Sequence, residues 1–79
     1  MLEEALEHLV KGIVEHPDEV TVRDRTLRRG RILEVRVHPD DLGKVIGRQG
    51  RTANALRTVI LALGGRAVRI DLVEAPGLR

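Results

Sequence analysis

Leu42-Gly43-Lys44-Val45-Ile46-Gly47-Arg48-Gln49-Gly50-Arg51 is the stretch on which the fold turns. Leu42, Val45 and Ile46 are spaced as the inward face of a short helix. Gly47 and Gly50 then stand three apart, and a second helix begins near Arg51. Glycine there permits backbone torsions that other residues resist, and it removes Cβ atoms that would hold a partner away. The helix that follows offers free N–H groups and a positive dipole end at its first turn. Lys44, Arg48 and Arg51 add positive charge around the same spot, and Gln49 adds a donor and an acceptor. A bare Gly-x-x-Gly carries little information, and a plain helical hairpin with a glycine turn is the bland alternative. A hydrophobic helix before it, a basic residue inside it and a strand on each side of the helix pair favour a place where a phosphate backbone runs close to the protein backbone.

Upstream, Pro39-Asp40-Asp41 combines a proline with acids, both helix-start signals. Residues 31–38 alternate Val35 and Val37 with Glu34, Arg36 and His38, which predicts a strand with one apolar face. Leu27-Arg28-Arg29-Gly30 predicts the turn of a hairpin, and residues 19–27, with Val20 and Val22 alternating, its other strand. Leu2, Leu6, Leu9, Val10 and Ile13 predict an amphipathic helix over 2–15, stopped by Pro17. Downstream, Ala53, Leu56, Val59, Ile60 and Leu63 mark a helix over 51–63 that Gly64-Gly65 ends. Residues 66–73 predict a last strand, and 74–79 a short tail. The order is α-β-β-α-α-β in a single α+β domain spanning 1–79.

Composition narrows the function. The chain has 79 residues, 42% hydrophobic and 33% charged, as in ordinary globular domains. It has no Cys, so neither a disulfide nor a thiolate site exists. It has no Phe, Tyr or Trp, which excludes base stacking on sheet aromatics and leaves an aliphatic core. No run of 18 apolar residues occurs, so no membrane-spanning helix is expected, and the acids Glu3, Glu4 and Glu7 argue against a signal peptide. A cytoplasmic protein is the expectation. Residues 1–22 hold six acids against Lys11, a net of −5, whereas 23–79 hold thirteen bases against six acids, a net of +7. Twelve of the fourteen bases are arginine, whose planar fork matches phosphate oxygens. A polyanion bound on one side of the molecule fits this asymmetry.

Catalysis finds no support. Ser and Cys are absent, and Thr21, Thr26, Thr52 and Thr58 have no evident partner base. Gly43-Lys44 lacks the lead glycine and the following Ser or Thr of a nucleotide-binding loop. His38, Asp40 and Asp41 cluster at a strand–helix junction without a third convergent group, so no metal, cofactor or catalytic residue is expected there. His8 and His16 read as surface groups.

Taken with its setting, Ile46-Gly47-Arg48-Gln49-Gly50 resembles the central motif of KH domains, RNA-binding modules whose Gly-x-x-Gly loop clamps about four backbone nucleotides of a single strand. The element order resembles the type II, bacterial arrangement. The nearest likeness is to the small stand-alone bacterial KH proteins of the KhpA/YlqC type. It covers nearly the whole chain, including His16-Pro17-Asp18-Glu19-Val20 and the stretch from Pro39 to Leu56. It implies a mixed three-stranded sheet backed by helices. By position, it makes Gly47 and Gly50 the clamp glycines, Arg48 and Gln49 the pair facing phosphates, and Ile46 the groove floor, with Lys44, Arg51 and Asn54 also on the RNA-binding side. Leu42, Val45, Ala53 and Leu56 are further floor candidates, although some must serve the core. The resemblance also implies a post-transcriptional regulator or RNA chaperone in cell envelope growth and division. Its partner would be a second KH-containing protein of the KhpB/Jag type, or another copy of the chain. Two other classes compete. One is a helix-turn-helix binder of duplex DNA reading through Arg51, Asn54, Arg57 and Thr58; the other is a protein–protein adaptor using the acidic first helix.

Overall fold

A computed structural model describes residues 2–28, 30–64 and 66–74. The elements are α1 (Leu2–Lys11), β1 (Thr21–Leu27), β2 (Gly30–Val37), α2 (Leu42–Ile46), α3 (Arg51–Ala62) and β3 (Val68–Glu74). The sheet order is β1-β2-β3. The hairpin pairs antiparallel, with Val22 opposite Val35, and β3 joins β2 in parallel, with Ile70 opposite Leu33. The expected mixed sheet and type II order are therefore present. A parallel neighbour requires a crossover, and α2 and α3 supply it.

Alternation along β2 sets the layers. Leu33, Val35 and Val37 are fully buried under the helices, together with Leu6 and Val10 of α1 and Val45 of α2. Val20, Leu56, Ile60 and Ile70 complete the core. Each fully buried aliphatic side chain contributes about 1.5–3 kcal/mol. The other sheet face is polar. There Arg25 and Arg36 pair with Glu34, at 3.7 and 3.3 Å, and Arg69 lies 3.8 Å from Asp71. Arg31 forms a two-point ion pair with Asp24 across the hairpin, which holds the Asp24 carboxyl below its ordinary value.

Several boundaries differ from expectation. The first helix stops at Lys11, not near residue 15: the Gly12 N–H is shared between the His8 and Leu9 carbonyls, and the chain then departs. Its exit is drawn away by Asp41, whose carboxylate accepts from the N–H groups of Glu15 (3.1 Å) and His16 (3.0 Å). Pro17–Glu19 forms one tight turn that delays β1 to Thr21. Ala67, at φ 57°, delays β3 to Val68, and its carbonyl accepts from the Arg31 N–H at 3.1 Å. Ile46 was expected to point inward but is 39% exposed. The tail beyond Glu74, Arg29 of the hairpin turn and Gly65 of the expected helix stop lie outside the described residues.

Candidate nucleic-acid interface

The Gly47-to-Gly50 turn owes its shape to three positive φ angles. Gly47 sits at φ 77°, ψ 170°, Gln49 at φ 56°, ψ 27°, and Gly50 at φ 75°, ψ 14°. The Gly47 N–H closes α2 on the Gly43 carbonyl (2.8 Å), and the Gly50 N–H returns to the Gly47 carbonyl (3.1 Å). The N-cap residue of α3 is Gly50, which has no side chain to cap the first turn. The positive end of the helix therefore faces the space in front of the turn.

The two glycines meet different demands. A Cβ on Gly47 would fall 2.3 Å from Thr52 Oγ1 and 2.8 Å from the Thr52 backbone N. Gly47 is thus required by close internal packing as well as by its torsions. A Cβ on Gly50 would meet nothing within 4 Å. Gly50 is required by φ and leaves its outer side open for something else.

Around the turn, Arg48, Gln49 and Arg51 are exposed, and among the described residues no carboxylate pairs with either arginine. Lys44 is different: its Nζ lies 2.8 Å from Glu15 Oε2. That hydrogen bond and the ammonium charge hold the Glu15 carboxyl below its ordinary value. Glu15 is in turn placed by Asp41, which has no exposed surface. Burial pushes the Asp41 carboxyl up, but the two backbone N–H donors, with His16 and Lys44 nearby, bring it below its ordinary value.

Beside the turn runs a groove between α3 and the outer strand β3. Ile46, Gly50, Ala53 and Arg57 form one wall, and Ile70 to Val73 the other. Of the floor candidates, Ile46 and Ala53 line this groove, whereas Val45 and Leu56 are committed to the core and Leu42 packs against it. Asn54 is exposed on α3, outside the groove lining, where its Oδ1 accepts from Arg57 Nη1 at 3.0 Å. On the helical wall, Arg57 is the groove residue that the family motif did not indicate. The helical series Gly50, Ala53, Arg57 carried the signal, because those positions share one face.

His16 was expected on the surface but is half-buried, with its ring stacked on His38 at 4.0 Å and 23°. It supplies the third group that spacing did not put beside His38 and Asp40, all three within 4.8 Å. His38 Nδ1 already accepts from the Asp40 N–H at 3.0 Å. That bond occupies the lone pair a cation would need.

Comparison with known proteins bears on the family. Residues 3–71 match the family described as KhpA/KhpB, KH domain. The chain is 75% identical over 79 residues to the RNA-binding protein KhpA of Streptomyces coelicolor, covering 100% of both chains. It is 63% identical over 71 residues to the KhpA of Mycobacterium tuberculosis strain H37Rv, covering 90% of this chain and 89% of that one. It is 46% identical over 72 residues to the KhpA of Halalkalibacterium halodurans, covering 87% and 95%. No solved structure matches the chain.

Proposed function

Because the chain belongs to the KhpA/KhpB KH-domain family, we propose that it is a binding module, not an enzyme, that holds single-stranded RNA by the backbone at the Gly47–Gly50 turn. One observation carries the reading: an open Gly50 at a positive helix end, flanked by Arg48 and Arg51, which no carboxylate among the described residues pairs, stands over an aliphatic groove. Phosphates would approach Gly50 and the two guanidiniums, and bases would lie on Ile46, Ala53 and the β3 wall. Aliphatic contact without aromatic stacking gives modest affinity and weak base selection. Helix-turn-helix binding is disfavoured, since α2 has only 5 residues and α3 spends Leu56 and Ile60 on the core.

The test is a titration of single-stranded RNA against wild type and Arg48→Asp/Gln49→Asp. Negative charge at the turn opposes phosphate, so most of the affinity should vanish, with an unchanged circular dichroism spectrum. A folded double variant with wild-type affinity would remove the turn from the mechanism.

Assembly with a second KH-containing protein of the KhpB/Jag type, or with another copy, is part of the same reading. It is supported by an apolar hollow between α1 and α3, where Leu9, Gly12, Ile13, Ala55 and Val59 meet, with Ile13 37% and Val59 39% exposed. One KH domain recognises about four nucleotides, and a second raises the effective concentration for a longer transcript. Such a pair would work in the cytoplasm as a post-transcriptional regulator or RNA chaperone serving cell envelope growth and division. No described helix is long and apolar enough to cross a membrane.

A further inference from the structure

The groove beside Gly50 does not end with the clamp. Arg57 lines it and also lines a second hollow toward the C-terminal end of α3, with Leu61, Val68, Arg69 and Asp71. That hollow shares Ala67, Val68 and Arg69 with a third, which reaches Leu27, Arg28, Arg31 and Ile32 at the hairpin end of the sheet. Three depressions joined by common residues thus run from Gly50 along β3 to the β1–β2 turn. β3 has 7 residues, a path of about 23 Å at about 3.3 Å each.

The chemistry along the extension resembles that at the clamp. Arg57, Arg69, Arg28 and Arg31 face one carboxylate, Asp71, in the lining of the second and third hollows. Asp24 holds Arg31, and Asp71 stands 3.8 Å from Arg69, both partly exposed. Among the described residues, no carboxylate pairs with Arg28 or Arg57. Between these guanidiniums lie exposed aliphatic side chains, Leu61 at 62% and Leu27 at 49%. Cations set beside apolar surface are what a single strand needs, with phosphates on the arginines and base faces on the hydrocarbon.

We propose that this extension is a second RNA subsite, continuous with the clamp, which takes the nucleotides beyond those held at Gly47–Gly50. The inference rests on the proposed clamp and enlarges its substrate. One domain would hold a strand longer than four nucleotides, with Arg28 and Arg69 contacting the added phosphates.

The experiment titrates fluorescent oligouridylates of four and ten nucleotides at several salt concentrations. The proteins are wild type, Arg28→Gln/Arg69→Gln and Arg48→Asp/Gln49→Asp. Both arginines of the first variant are exposed, and a thermal melt by circular dichroism checks its fold. A longer lattice raises affinity statistically, and its fuller counterion atmosphere adds a little to the slope, so the excess is judged against Arg28→Gln/Arg69→Gln, which shares that background. Each phosphate neutralised adds about 0.7 to the log–log slope for single strands. The ten-mer slope should exceed the four-mer slope by about 1.4 in wild type, for two added contacts. Arg28→Gln/Arg69→Gln should abolish that excess and leave four-mer binding unchanged. Equal slopes for both lengths in wild type would overturn the subsite. So would an arginine pair whose loss weakens both lengths alike, which reports only the general field, or one that affects neither, which leaves this surface to a protein. Failure of the clamp itself would look different: Arg48→Asp/Gln49→Asp would leave four-mer binding intact.

Discussion

Alanine at Gly47 and alanine at Gly50 should have unlike consequences, although the two glycines play matching parts in the motif. At Gly47 the torsions, φ 77° and ψ 170°, lie in a region that is nearly glycine's alone and costs another residue about 1–3 kcal/mol. The new methyl would also sit 2.8 Å from the Thr52 backbone N and closer still to its Oγ1. The hydroxyl can rotate away, but the backbone of α3 must shift, and overpacking of that kind costs about 1–3 kcal/mol. The sum is about 2–6 kcal/mol, against a total stability of about 4–12 kcal/mol for a domain of this length. At Gly50 the torsions are ordinary left-handed ones, about 1–2 kcal/mol for alanine, with nothing to collide with. Reduced freedom of the unfolded chain returns about 0.4–1 kcal/mol, so the net loss is about 1 kcal/mol. Urea titrations followed by circular dichroism at the helix band measure both, since the chain has no aromatic residue to fluoresce. Losses within 1 kcal/mol of each other, or Gly50→Ala the worse, would refute the assignment of internal packing to Gly47. If Gly50→Ala is folded, it also reports how near RNA comes, because a methyl between backbone and phosphate should weaken binding about tenfold, 1.4 kcal/mol.

Other perturbations follow from the same contacts. Glu15→Gln frees Lys44 from its 2.8 Å ion pair and should tighten RNA binding several-fold at low salt; anisotropy titrations should show the gain fade as salt rises. Asp41 and Glu15 both titrate below their ordinary values, so folded protein binds fewer protons than unfolded protein near pH 4. Their contribution is complete above the ordinary carboxylate range and is lost as pH falls through the depressed folded values; Asp41→Asn should lower the melting temperature at pH 7 and flatten that acid limb. Gly43→Ala, in α2 with open space around it, should raise stability by about 0.5–1 kcal/mol in urea, with the apolar wall of the groove undisturbed.

The element order, the layer arrangement and the Gly-x-x-Gly turn were legible in the sequence because each rests on local spacing. Period-2 alternation put Val35 and Val37 under the helices, and helical periodicity put Leu6, Val10, Leu56 and Ile60 there too. The family motif, a run of adjacent residues, was equally visible. What local pattern could not carry was any contact made at long sequence separation. Nothing near Asp41 announces that its carboxylate will take the N–H groups of Glu15 and His16, 26 and 25 residues away, and so shorten α1. The same fold brings Glu15 to Lys44 and stacks His16 on His38. The division of apolar residues also waited on the third dimension. Val45 and Ile46 are neighbours of like chemistry, yet one is fully buried and the other 39% exposed, because only the packing of α2 between α3 and the sheet determines which direction is inward. Gly47 and Gly50 are interchangeable letters in the sequence. Thr52 stands against one and open space against the other, an asymmetry set by the path of the turn in three dimensions and not by the letters.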